Sequence, residues 1–301
     1  MTQPSPDHDP TFVDLLELEE IDRDIFRGYT HAGAPLRTFG GQVAAQALVA
    51  AGRTAGDRAV HSLHSYFLRP GRPTSPIIYL VDRVRDGGSF TTRRVDAVQY
   101  GETIFTLSAS FKRHEEGRDH QRPMPTVRSP EESLDLYKAA DEAGDSRGES
   151  MTRLVLELRS PDPTTSFAGS KVGTDSADQA DDSPGLLDED IPRRRFWMRA
   201  ADHLPDDPLL HVCALAYMSD LTLAGTATLR HDIPGDELML ASLDHAMWFH
   251  RPFRADQWLL FSVESPSSGD GRGLASGEFY TEDGRLVASV MQEALIRRRQ
   301  S

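Results

Sequence analysis

The chain has 301 residues, 38% hydrophobic and 27% charged, with 33 Lys or Arg against 47 Asp or Glu, for a formal net charge of −14. Such an acidic balance argues against nucleic acid and anionic membrane surfaces as partners, since both demand a basic face. The N-terminal MTQPSPDHDP has no basic start or apolar stretch of the kind that marks a signal peptide, and the single cysteine, Cys213, has no internal disulfide partner. These features favour the cytoplasm, and no apolar run is expected to span a membrane.

In chain order, Met1–Asp9 reads as a disordered lead-in, with residues 1–11 preceding the first domain. Phe12–Leu18 is a short amphipathic helix candidate and Ile21–Tyr29 a first strand. The glycine-rich loop HAGAPLRTFGGQ opens into the alanine-rich VAAQALVAAGRTA, predicted to be a helix ending near Gly52 or Gly56. Strands are expected over Ala59–Leu68, Ile77–Arg85, Ser89–Tyr100 and Thr103–Lys112, separated by the turn-like RPGRP, RDGG and YGE. One helix followed by a run of strands gives an α+β class with an antiparallel sheet.

The character changes over 114–194, which reads as an acidic interdomain linker, partly disordered. Within it, Ser160–Asp190 holds eight Asp or Glu against one Lys, half of the chain's net charge, and few large apolar residues. Met151–Leu158 is an exception, expected to return to a sheet edge. From Arg195 the first pattern recurs. FWMRA is strand-like, Leu209–Asp220 is a helix, and strands follow near Glu237–Phe249, Trp258–Ser265, Gly273–Thr281 and Arg285–Arg297. HSYFLRP at Pro70 is echoed by AMWFHRP at Pro252, an offset of 182, and GETIF at Gly101 by GRLVA at Gly284, an offset of 183. Two offsets agreeing to one residue point to a duplicated fold.

Duplication supplies an internal control. LLHVCALAYMSD is apolar on almost every side and ends on a carboxylate, and a helix apolar all round is normally buried. Aligned with the first-half helix, Asp220 stands opposite Ala51. Ser242 shares a strand face with Leu238 and Leu240 and corresponds to Val60. Gln292, on the face of Leu286, Ala288, Val290, Ala294 and Ile296, corresponds to Ala109. Taken singly, each has a plain alternative: a solvated helix end, a satisfied strand hydroxyl, an amide paired with backbone. Together they describe one working site and one structural copy.

FGGQVAAQA, HSLHSYFLRPG and RDGGSFTTRRV in the first half, with YMSDL, SLDHAMWFHRPF and GEFYTEDGRLVASVMQE in the second, closely resemble the type II acyl-CoA thioesterase family. The resemblance implies a double hot-dog fold, in which two antiparallel sheets each wrap a long central helix, over 12–113 and 195–301. It implies hydrolysis of acyl-CoA without metal or organic cofactor, read here as medium- to long-chain fatty acyl-CoA. It also implies a catalytic set of Asp220, Ser242 and Gln292 that holds a water. Gly40, Gly41 and Gln42, at the mouth of the first helix, are candidate substrate-binding residues because first-turn N–H groups can receive an oxyanion. His64 is a further candidate contact, a core histidine being the alternative, and Arg93, Arg94 and Arg272 are candidate cations for the CoA phosphates.

His61 and His64, like His245 and His250, have odd separations, which in a regular strand point to opposite faces, so neither pair suits a metal. Gly225 stands five past Asp220, where a hot-dog hydratase would need histidine. A non-catalytic acyl-CoA binding or sensing protein is the alternative function, though a binder needs no base beside the thioester. A homo-oligomer, dimer or tetramer, is compatible with the sequence but not fixed by it.

Overall fold

A computed structural model describes residues 10–30, 37–144, 152–162, 191, 193–231, 233 and 237–299. The lead-in Met1–Asp9, positions 31–36 of the glycine-rich loop and the acidic core of the linker at 163–190 lie outside them. The first half comprises α1 (Phe12–Leu16), β1 (Leu18–Asp22), β2 (Ile25–Gly28), α2 (Gly40–Arg53), β3 (Ala59–Phe67), β4 (Ile77–Asp86), β5 (Phe90–Gln99) and β6 (Glu102–Lys112). Between the halves come β7 (Leu134–Asp135), α3 (Leu136–Glu142), α4 (Thr152–Val155) and β8 (Leu156–Ser160). The second half contributes β9 (Arg193–Ala200), α5 (Pro208–Ser219), α6 (Leu223–Thr226), β10 (Leu238–Ser242), β11 (Asp244–Phe249), β12 (Leu259–Gly269), β13 (Arg272–Thr281) and β14 (Leu286–Arg298).

The strands form one continuous sheet in the order β1-β2-β4-β5-β6-β3-β11-β14-β13-β12-β9-β8-β7, with β10 also on β14. Reading outward from the β3–β11 pair, the order of one half repeats that of the other. The fold is therefore a double hot-dog of class α+β, whose two sheets join edge to edge through antiparallel β3 and β11. The repeat extends to an irregularity. In β3, Val60 faces Phe111 while Ser62 faces Ser110, so two steps oppose one. At the matching place in the second half, Ser242 faces Ala294 while Ala246 faces Met291, four steps against three. Each half thus carries a β-bulge at the same point, which reverses the inside–outside alternation beyond it.

Helices α2 and α5 pack antiparallel on the inner face. Alanine is the strongest helix former and its methyl is the smallest carbon side chain, and Ala44, Ala45, Ala47, Ala50 and Ala51 of α2 are all buried. The approach is closest at the helix ends. A Cβ on Gly41 would lie 2.6 Å from the Tyr217 carbonyl oxygen, and one on Gly52 would lie 2.4 Å from a Leu209 methyl. Pro208–Thr226 is long and apolar enough to cross a membrane, contrary to the sequence expectation, but 67% of its apolar window is buried inside this fold, as suits a core helix.

Two other expectations need correction. Ile21–Tyr29 is not one strand: β1 and β2 form a hairpin turning at Asp24, whose φ of 61° is left-handed. Thr11, assigned to the lead-in, caps α1. The linker range 114–194 is ordered in part, and the stretch expected to return to a sheet edge runs into β8. Leu156 and Leu158 bury alternate side chains of β8, which pairs with β9 and extends the second half of the sheet. The extended chain before it is held by the Trp197 indole N–H donating to the Arg128 carbonyl at 2.9 Å.

A buried amide ties α2 to the N-terminal elements. Gln46, fully buried, donates to the carbonyls of Leu15 at 2.7 Å and Tyr29 at 3.1 Å, and accepts from the Tyr79 hydroxyl at 2.7 Å. Leucine would leave the buried Tyr79 hydroxyl without its acceptor and the two carbonyls with only the Gln42 amide. Gln46→Leu is expected to lose roughly 2–4 kcal/mol of stability in urea unfolding; a midpoint unchanged from wild type would contradict this network's role.

Candidate active site

The C-terminus of α5 and the N-terminus of α2 meet, and Asp220 lies between them. Asp220 is the C-cap of α5, with φ −75° and ψ −13°, and is 9% exposed. Helix α2 begins without a side-chain cap of its own; its N-cap position is Phe39. The first turn of a helix leaves N–H groups without intrahelical partners, and here the first backbone bond of α2 runs from Val43 N–H to the Phe39 carbonyl at 3.3 Å. The Asp220 carboxylate accepts the Gly41 N–H. It thereby caps a helix in the other half of the molecule, at the end where the helix dipole favours an anion. Glycine at 40 makes this possible, since a Cβ there would stand 2.8 Å from Asp220 Oδ2.

The bulge between β10 and β11 brings two strand residues to the same place. Ser242, before it, donates to Asp220 Oδ1 at 3.4 Å. Gln292, 1% exposed on β14, donates from Nε2 to Ser242 Oγ at 2.9 Å and also to Asp220. His245, beyond the bulge and 1% exposed, has Nδ1 2.5 Å from Gln292 Oε1 and Nε2 2.9 Å from Ser219 Oγ. Asp220, Ser242 and Gln292 are thus in contact in one cluster, with Ser219 and His245 behind them.

Burial pushes the Asp220 carboxyl up to about 7, while hydrogen bonds from Gly41, Gln292 and Ser242 and the charge of Arg37 pull it down. Burial holds the His245 imidazole down at about 4, so it is neutral wherever Asp220 titrates.

The remaining candidates sort by position. The Gly41 backbone faces Asp220. The Gln42 side chain does not: it is buried and donates to the Tyr29 carbonyl at 3.2 Å and the Leu15 carbonyl at 3.4 Å. His64 pairs with Ala246, one position off the His245–Ser65 pair, so strand alternation turns it to the opposite face of the sheet. It is exposed there, edge-on to Trp248 at 5.3 Å, neither a core histidine nor part of the Asp220 cluster. Arg93 is buried at the far end of α2, bonded to Thr54 and Asp86. Arg94 pairs with Asp82, and Arg272 with Glu293 and Asp270. Sequence reasoning weighed His245 only as a metal ligand beside His250 and not as a partner of Gln292. The comparison of halves held the signal, for His245 stands opposite Leu63 at the same offset of 182, and Ser219 opposite Ala50 in the helix alignment.

A family model described as acyl-CoA thioesterase matches residues 185–295, and one described as acyl-CoA thioesterase N-terminal domain matches 28–112. Acyl-coenzyme A thioesterase 8 of Homo sapiens is 40% identical, over 94% of this chain and 88% of its own length. The chain belongs to the type II acyl-CoA thioesterase family. Acyl-CoA thioesterase 2 of Haemophilus influenzae is 37% identical, over 95% of this chain and 96% of its own. The crystal structure of an acyl-CoA thioesterase II from Mycobacterium marinum superimposes with a TM-score of 0.77 at 43% identity, covering 96% of this chain and 99% of that one.

The raised carboxyl has a consequence for stability. The folded state holds the Asp220 proton to about pH 7, whereas the unfolded chain releases it near 3.8. Folding is therefore favoured by this group below pH 3.8, and that contribution is lost as pH rises to 7. Asparagine does not titrate. Between pH 5 and pH 8 the wild type should lose about 3 kcal/mol relative to Asp220→Asn, read from paired unfolding curves. Curves that stay parallel across this range would contradict the buried carboxyl.

Proposed function

We propose that the chain hydrolyses medium- to long-chain fatty acyl-CoA to free fatty acid and CoA, with Asp220 as general base toward a water held by Ser242 and Gln292. The observation that carries this reading is a buried carboxylate, pushed up from the usual range by its burial, that accepts from a hydroxyl which is itself bonded to an amide, a set able to hold a water. A base is most effective when its pKa lies near the working pH. The assignment of an acyl-CoA thioester hydrolase is supported by the relatives, whose names state that activity.

In this reaction Asp220 takes a proton from the water as its oxygen attacks the thioester carbonyl. The oxyanion that forms is received by the first-turn N–H of Gln42 in α2, the Gly41 N–H being taken by Asp220, at the helix end where the dipole favours negative charge. Collapse of the tetrahedral intermediate breaks the C–S bond, and the proton on Asp220 returns to the departing CoA thiolate. Fixing the water beforehand lowers the entropic part of the barrier. An acyl chain rather than a charged group suits the surroundings: Phe39 lies edge-on to Tyr217 at 4.9 Å, and a Gly40 Cβ would stand 2.7 Å from the Phe67 ring.

Release of CoA, followed with a thiol-reactive dye over a series of acyl chain lengths, tests the reading. Turnover should be greatest on medium and long chains, and kcat/KM should rise with pH to a plateau with a midpoint near 7. Asp220→Asn should lower the rate by about 10²- to 10⁴-fold. A folded Asp220→Asn protein that works at nearly the wild-type rate removes Asp220 as the base.

A further inference from the structure

Ser219 and His245 have no part in the steps above, yet both are buried directly behind Gln292, at 0% and 1% exposure. We propose that they form a positioning pair that fixes which way the Gln292 amide points, keeping its NH₂ toward Ser242 and Asp220. The inference rests on the reading of Asp220 as base.

A glutamine side chain offers an acceptor on one side and two donors on the other, and a rotation of 180° exchanges them. Only one orientation serves this site. With Nε2 toward Asp220, the amide donates to the carboxylate and to Ser242 Oγ at 2.9 Å. The reverse would set the amide oxygen against an anion in a buried place. His245 selects between the two through its ring proton. If Nδ1 carries it, Nδ1–H donates to Gln292 Oε1 at 2.5 Å and locks the useful orientation. A neutral imidazole with its proton on Nδ1 needs a donor for Nε2, and Ser219 Oγ stands 2.9 Å away. Ser219 is also 2.9 Å from the Ala216 carbonyl; donating its one hydrogen to Nε2 instead fixes the tautomer. The histidine is itself anchored, since its carbonyl accepts the Ser65 hydroxyl at 2.9 Å across the junction of the two halves.

The charged and titratable groups around this line are few among the described residues. Arg37, from the segment before α2, acts on Asp220, and Tyr217 of α5 is coupled to it. Asp244 is the neighbour of His245 on β11 and favours the charged imidazole, but burial outweighs it. None of these replaces the Gln292 donor. Loss of His245 should therefore leave Asp220 with less help in ionising, and the pH limb should move upward.

The first half supplies a control, because Leu63 fills the position of His245 there. His245→Leu is a replacement that the fold accommodates. His245→Asn is the rescue, since its side-chain amide N–H can stand where Nδ1–H stood. The experiment measures kcat, KM and the pH profile by thiol release for His245→Leu, His245→Asn and Ser219→Ala, beside Gln292→Ala and Asp220→Asn. His245→Leu should lose about 10- to 100-fold in kcat, as when an outer partner of a reacting group is lost, with KM little changed. Its limb should shift above the wild-type midpoint, toward that of Gln292→Ala, and His245→Asn should recover most of both. Ser219→Ala should shift the limb in the same direction by a smaller amount, and this decides the matter if His245→Leu does not fold. An unmoved limb in a folded His245→Leu or Ser219→Ala protein, or a His245→Asn protein no better than His245→Leu, overturns the inference. With Asp220→Asn inactive, that result leaves the base reading intact; near-normal turnover by Asp220→Asn removes both.

Discussion

One carboxylate is set between two helix ends, and the arrangement of the molecule follows from what it needs there. Asp220 ends α5, where the helix dipole is unfavourable to an anion, and faces the start of α2, where it is favourable. The two halves are thus joined by more than the β3–β11 pair: a group from the second half caps the helix of the first. Burial opposes the charge while donors from Gly41, Gln292 and Ser242 support it, and the balance leaves the group near neutrality. The same contact requires close approach of two backbones, which Gly40 and Gly41 permit and any side chain would block.

The opposite end of the helix pair shows what the same architecture does without a site. There α5 begins where α2 ends. Leu209 packs against Gly52, and Ala51 stands where the equivalent position of the second half carries Asp220. Arg93 supplies a cation to the C-terminal end of α2 through Thr54, where the dipole favours one. Leu63, Val60 and Ala109 fill the strand positions that His245, Ser242 and Gln292 occupy in the second half. The first half thus carries apolar residues at the positions where the second carries Asp220, Ser242, Gln292 and His245, and the connected polar cluster lies at one end of the helix pair.

Much of this could be read from the sequence because the duplication compares the chain with itself. Asp220, Ser242 and Gln292 stood out as polar residues facing Ala51, Val60 and Ala109, and the structure brings all three into contact. The strands of the second half were placed correctly in number except at Glu237–Phe249. That stretch is two strands, and the break between them is the bulge that aims His245 inward. A bulge leaves little trace in residue type, so the alternation along this stretch does not show that His245 faces the same way as Ser242. A polar residue on an alternating strand can face either way, and the pairing with Ala246 is what turns His64 to the face opposite the Asp220 cluster. The side chains of Gln42 and Arg93 hold the fold, as polar side chains at helix ends readily do. The strand β8 was legible within its acidic neighbourhood, since Met151–Leu158 was expected to return to a sheet edge.

The whole account turns on whether Asp220 holds its proton to neutral pH while buried between α5 and α2. The most direct measurement is the carboxyl carbon resonance of Asp220 in aspartate-labelled protein, assigned by its loss in Asp220→Asn and followed against pH. The account predicts a single titration with a midpoint near 7. A midpoint at or below the ordinary 3.8 of a solvated aspartate would contradict it.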